Sequence, residues 1–211
     1  MSEVIVFGGI NLDQVVYLSR PPKKGETLEV ETVQTFLGGK GANQAVALSR
    51  LGASVSFAGN VGEDAFGKEL TSSLLSEDID LSMLGSVNEK TGTAFINAFE
   101  NSENQIIYIP GANKLTSHKQ VCLENLEKAS IVVSQMEVNV EEVGQLFVNS
   151  KEKNCLNILN LAPFKRINKT LIAHTDLLVF NELEFSLFSN LDTSHTLKLD
   201  NLKEKIENLN L

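Results

Sequence analysis

Between Phe36 and Gly52 the sequence reads FLGGKGANQAVALSRLG, with Gly38, Gly39 and Gly41 around Lys40 and Asn43 close behind. Apolar residues then recur at Ala45, Val46, Leu48 and Leu51. That spacing is helical, so the glycines are expected in a tight turn entering a helix that Asn43 opens. Such a turn lets backbone N–H groups approach a ligand closely, and three ligands compete for it. A Walker-type phosphate loop needs Ser or Thr after Gly-Lys to hold magnesium, but Gly41 follows Lys40. A dinucleotide fingerprint needs a glycine three positions after Gly41, where Gln44 stands. A sugar suits what remains: backbone amides, a lysine and a carboxamide grouped for hydroxyl recognition. A turn needed only for packing would account for Gly38 but not for Lys40 and Asn43 together.

Other polar residues have plainer readings when taken alone. Asp13, after the apolar run VIVFGGI at 4–10, reads as a turn residue following a strand. Asn181 and Glu184 have the spacing of a helix N-cap and its N3 partner. His118, His174 and His195 show no metal-ligand spacing and are expected at the surface or as caps. Cys122 and Cys155 lie far apart in apolar stretches and are expected to be small buried hydrophobes in a reducing compartment. The sequon Asn168-Lys169-Thr170 has no export signal to give it meaning.

The elements that must position these residues alternate. VIVFGGI is a near-continuous apolar run, as expected of a strand covered on both faces of a parallel sheet. Strands at 54–60 and 131–135 are followed by helical stretches at 65–76 and 140–153, and LNILN at 156–160 and LLVF at 177–180 continue the series. Strand followed by helix, repeated, predicts an α/β fold: a mostly parallel sheet with helices on both faces. TLEVETVQTFL at 27–37 alternates instead, and 91–100 with 105–110 reads as an antiparallel hairpin. These pieces are expected to form a small separate sheet from segments 14–37 and 91–110. The 211 residues, 42% of them hydrophobic, suffice for one such domain. A net charge of −9 argues against a nucleic-acid surface. With no signal peptide or membrane span legible, a cytoplasmic location is expected.

The stretch from 36 to 67, FLGGKGANQAVALSRLGASVSFAGNVGEDAFG, resembles the first signature of the ribokinase-type (PfkB) carbohydrate kinases. The likeness continues through GGINLD at 8–13, KTGTAFINAFENSENQIIYIPGAN at 90–113, QME at 135–137, LNLAP at 159–163 and NELE at 181–184. It implies a Rossmann-like α/β body with a small β-sheet lid over the sugar, and the apolar side chains that the strand at 27–37 leaves uncovered predict a homodimer through the lids. GGKGAN resembles the ribokinase branch more than the fructokinase or adenosine kinase branches, which implies ATP-dependent phosphorylation of D-ribose. Matched position by position, Asn11, Asp13, Gly39, Lys40, Asn43 and Glu137 would bind the sugar. Asn181 and Glu184 would lie near the nucleotide phosphates, with Glu184 organising Mg2+ indirectly. ATP and Mg2+ are the implied cofactors, with a monovalent cation such as K+ a further candidate.

The family's second signature, a glycine-rich helix start carrying the aspartate expected as base, does not occur in these 211 residues. The chain therefore reads as incomplete at its C-terminus relative to the family. It is expected to hold the sugar side of the site and to be inactive alone; the alternatives are a non-catalytic sugar-binding remnant or a kinase for another pentose or nucleoside. Residues 196–211 space Leu199, Leu202, Ile206 and Leu209 on one helical face. A crossover helix of that kind would lead into a further strand.

Overall fold

The computed structural model describes residues 3–100 and 104–189; the expected helix at 196–211 and His195 lie outside them. Strand β1 (Glu3–Phe7) runs into Gly8-Gly9-Ile10 and then β2 (Asn11–Leu18), which β3 (Val33–Gly38) pairs. Helix α1 (Lys40–Arg50), β4 (Ser54–Gly62), α2 (Ala65–Leu75) and β5 (Leu84–Val87) follow. The hairpin β6 (Gly92–Phe99) and β7 (Asn104–Ile109) comes next, then two short 3-10 turns and α3 (Leu123–Lys128). The chain continues with β8 (Ala129–Gln135), α4 (Val140–Glu152), β9 (Leu156–Asn160), α5 (Lys169–Ala173), β10 (Leu177–Val179) and α6 (Glu182–Phe188).

Six strands form one parallel sheet in the order β10-β9-β8-β1-β4-β5. The apolar run of β1 explains its central place. Ile5 and Phe7 enter one buried cluster with Val143, Leu146 and Phe147 of α4, while Val4 and Val6 enter a second with Leu70 and Leu74 of α2. Side chains alternate along a strand, so both faces are covered, α1 and α2 on one side and α3, α4 and α5 on the other. Three helix starts are tied by side chains of the sequence itself: Asp64 accepts from Gly67 N, Asn139 from Glu141 N and Asn168 from Leu171 N. Asn168 of the sequon is thus an N-cap.

The remaining four strands form a separate sheet, β3-β2-β6-β7, antiparallel except for the β2–β6 pair. Several boundaries differ from expectation. Helix α1 begins at Lys40, so Gly41 lies inside its first turn and Asn43 is no longer its opening residue. The strand expected over 27–37 begins at Val33, with Leu28 and Val30 ahead of it. The small sheet begins at Asn11, so Asn11 and Asp13 belong to it. Cys155 is buried as expected, but Cys122 is exposed at the start of α3.

Candidate functional site

Strand order reverses at β1: its neighbours are β4 on one side and β8 on the other. In open parallel sheets that switch point, at the carboxyl ends of the strands, is where a crevice opens. Three pieces of chain meet there. Gly8-Gly9-Ile10 carries the chain from β1 into β2, α1 starts at Gly39, and Glu137 follows β8.

Asn11 and Asp13, two apart on β2, share one face of the small sheet. Gly38 lies against Asp13; a Cβ on it would come within 2.1 Å of the Asp13 carboxylate. Gly39 caps α1 with a φ of 88°, and a Cβ there would meet Gly9 O and Ile10 Cα at 2.8 Å. That position accepts only glycine. Across the turn, Glu137 Oε2 accepts a 2.7 Å hydrogen bond from Lys40 N, the first amide of α1. Ala42 N is taken by Gly9 O at 3.0 Å. The turn therefore spends these amides within the protein, contrary to the picture of open amides awaiting a ligand.

The structure brings all six expected sugar residues, Asn11, Asp13, Gly39, Lys40, Asn43 and Glu137, to the lining of one cleft of about 400 Å³. The cleft also has a wall in the segment expected over the sugar, whose residues the sequence reading did not name: Ala94 and Ile96 of β6 and Ile106 and Tyr108 of β7. The alternation in QIIYIP, which sets Ile106 and Tyr108 on one face, was the available signal. Burial raises the Asp13 carboxyl above its ordinary value. Burial also raises Glu137, with the Asp13 charge adding to it and the Lys40 amide, the Lys40 charge and Lys165 opposing it. Tyr108 is pushed upward by burial and by Glu137.

A larger groove of about 600 Å³ runs beside β5 and α2, lined by Lys68, Thr71 and Ser72 among others. Its helix hydroxyls are already committed: Thr71 Oγ1 donates to Gly67 O and Ser72 Oγ to Lys68 O.

Asn181 and Glu184 do not line the cleft. They cap α6 reciprocally, Glu184 N donating to Asn181 Oδ1 at 2.8 Å and Asn181 N to Glu184 Oε2 at 2.9 Å. They follow β10, two strands along from β8, on the order of 10 Å away at ordinary strand spacing. Among the described residues no group of three or more His, Cys, Asp or Glu could hold a metal. A single carboxylate with one oxygen already bonded does not make a magnesium site by itself. His118 is held by Glu142, and His174 closes α5.

Residues 1–210 match the family model described as pfkB family carbohydrate kinase. The chain is similar to the ribokinase of Bacillus subtilis, 36% identical over 203 residues, covering 94% of this chain and 69% of that one. It is also similar to a deoxyribokinase of Salmonella typhi, 33% identical over 195 residues, covering 90% of this chain and 63% of the other. Among solved structures, Arabidopsis thaliana ribokinase complexed with ribose and ATP superposes with a TM-score of 0.86 at 31% identity, over 99% of this chain and 68% of its own. The chain spans about 63% to 69% of the length of the curated ribokinases it matches. A family match along nearly every residue, on a fold whose crevice opens where the matched motifs meet, has one reading: the chain belongs to the pfkB family of carbohydrate kinases.

Proposed function

We propose that these residues form the sugar-binding part of an ATP-dependent ribokinase, which phosphorylates D-ribose to ribose 5-phosphate. The observation that carries the reading is the placement of Glu137. A helix N-terminus attracts anions, and here a carboxylate of the protein already occupies it, with Asp13 lining the same cleft. Two carboxylates repel a phosphate and suit a neutral polyol, whose hydroxyls donate to them. Lys40, Asn43 and Asn11 supply donors in return, and Ala94, Ile96 and Ile106 offer carbon surface for the sugar ring.

The small sheet serves as a lid, with β2, β6 and β7 roofing the sugar. Once the sugar is held, the protein's task in phosphoryl transfer is positioning and charge stabilisation. Magnesium-bound ATP would supply the phosphoryl group, and the family resemblance would put Asn181 and Glu184 near its phosphates. The base that deprotonates the acceptor hydroxyl is assigned to the part of the family's length that this chain does not span.

Similarity to a deoxyribokinase makes 2-deoxyribose the second candidate. A site that hydrogen-bonds a hydroxyl rejects the analogue lacking it by roughly 10⁴-fold. Titration calorimetry with both sugars separates the two, ribose binding strongly and 2-deoxyribose weakly if the proposal holds. Asp13→Ala should abolish ribose binding. Tight binding of 2-deoxyribose alone would transfer the assignment to that sugar, and no heat with either would overturn a pentose site.

A further inference from the structure

Asn113 lies in the 3-10 turn after β7, is 0% exposed, and belongs to none of the residues assigned to the sugar above. Its side chain is pinned by backbone on both ends. Ile10 N donates to Asn113 Oδ1 at 2.9 Å, and Asn113 Nδ2 donates to Ile10 O at 3.1 Å. A backbone N–H can only donate and a backbone carbonyl can only accept. The carboxamide of Asn113 therefore has a single orientation.

The second hydrogen of Asn113 Nδ2 goes to Asn11 Oδ1 at 2.8 Å. Tyr108 Oη lies farther from the same nitrogen, at 3.4 Å, and itself donates to Glu137 O at 3.4 Å. Because Asn113 presents a donor, the Asn11 atom facing it must be the acceptor, so Asn11 is fixed in turn. Room for this bond is built into the sheet. Gly92 pairs with Asn11 across β2 and β6, and a Cβ on Gly92 would lie 2.3 Å from both Asn11 Oδ1 and Asn113 Nδ2.

We infer that Asn113 is a specificity-determining positioning residue: it locks the Asn11 carboxamide with Oδ1 inward and Nδ2 toward the cleft, so that position 11 offers the ligand a donor. The inference rests on the proposal that the cleft holds a sugar. Asp13, on the same strand face, offers an acceptor. A hydroxyl group both donates and accepts, so it satisfies this donor-and-acceptor pair. An ether oxygen can accept from Asn11 but has no hydrogen for Asp13.

Two measurements test it. The first needs no sugar: NMR coupling across the hydrogen bond, from Asn113 Nδ2 to the side-chain carbonyl carbon of Asn11, should be present in the unliganded protein. Its absence, or the reverse coupling from Asn11 Nδ2, overturns the assigned orientation whatever the cleft binds. The second is a double-mutant cycle read by ribose affinity. Asn113→Leu should weaken ribose binding roughly tenfold to a hundredfold in the parent and cost almost nothing further in an Asn11→Ala background. Equal losses in both backgrounds would mean that Asn113 acts on the fold rather than through Asn11. Should Asn113→Leu fail to fold, Asn11→Asp replaces it. That variant keeps an acceptor for Asn113 but turns an acceptor toward the cleft, and ribose affinity unchanged from the parent would sink the inference. Absence of ribose binding by the parent, with the coupling present, would remove the sugar reading and leave the orientation standing.

Discussion

Glu137 combines two roles that pull against each other. Its carboxylate caps α1 through Lys40 N and lines the cleft, yet burial and Asp13 raise its pKa above the ordinary 4.5. In the window above that value the native state binds more protons than the unfolded chain, so stability falls as pH rises. Glu137→Gln keeps an acceptor for Lys40 N and removes the ionisation. Its unliganded form should match the parent in acid and become the more stable of the two as pH passes upward through the window, as thermal melts would show. Ribose binding should move the other way. Losing a charged acceptor costs about 1.5–3 kcal/mol, and calorimetry should record the weaker affinity. In the parent, ribose affinity should drop as pH falls toward 4.5, because a protonated carboxyl accepts fewer hydrogen bonds.

Among the elements, those with strong periodicity were legible in advance. The apolar run of β1, the LNILN of β9 and the helical spacing of α4 follow directly from burial on two faces or on one stripe. Helix α1 was legible but its start was not. Gly41 is a poor helix former, and tertiary contacts with Gly9 draw Lys40 to Ala42 into the first turn. Strand β3 begins only at Val33, opposite Val16, although β2 runs on to Leu18. Strand β5, LGSV, carries too little hydrophobic signal to be seen. The six cleft residues were legible through a family resemblance, whereas Asn113 was not. Its role depends on two backbone groups of Ile10, 103 residues away in sequence. Asp64 is a similar case. It caps α2 through Gly67 N and also accepts from Thr91 N and Thr91 Oγ1, just ahead of β6. Asp64→Ala should cost about 1–2 kcal/mol, measurable by urea unfolding, and should loosen the junction between body and small sheet.

At the scale of the molecule, the small sheet leaves apolar side chains in the open. Phe36 is 47% exposed and Ile106 57% on the face that carries Asp13, and Ile107 is 64% exposed on the opposite face. Patches of this kind mark interfaces, and a homodimer through these sheets is the expected outcome. Sedimentation of the whole protein at micromolar concentration should give a dimer, and a monomer would count against it.

The cleft is divided between two bodies. Asn11 and Asp13 ride on the small sheet, while Gly39, Lys40 and Asn43 sit on α1 and Glu137 follows β8 of the main sheet. Under the proposed function, a sugar that engages all of them is expected to draw the two together. The apolar surface of Ile96 and Ile106 then leaves water along with the sugar. Burial of apolar surface gives a negative heat-capacity change. Calorimetry over a range of temperatures should therefore find a more negative value than a molecule as small and polar as ribose could supply by itself. A value no larger than the sugar's own contribution would mean that the two bodies stand still when it binds.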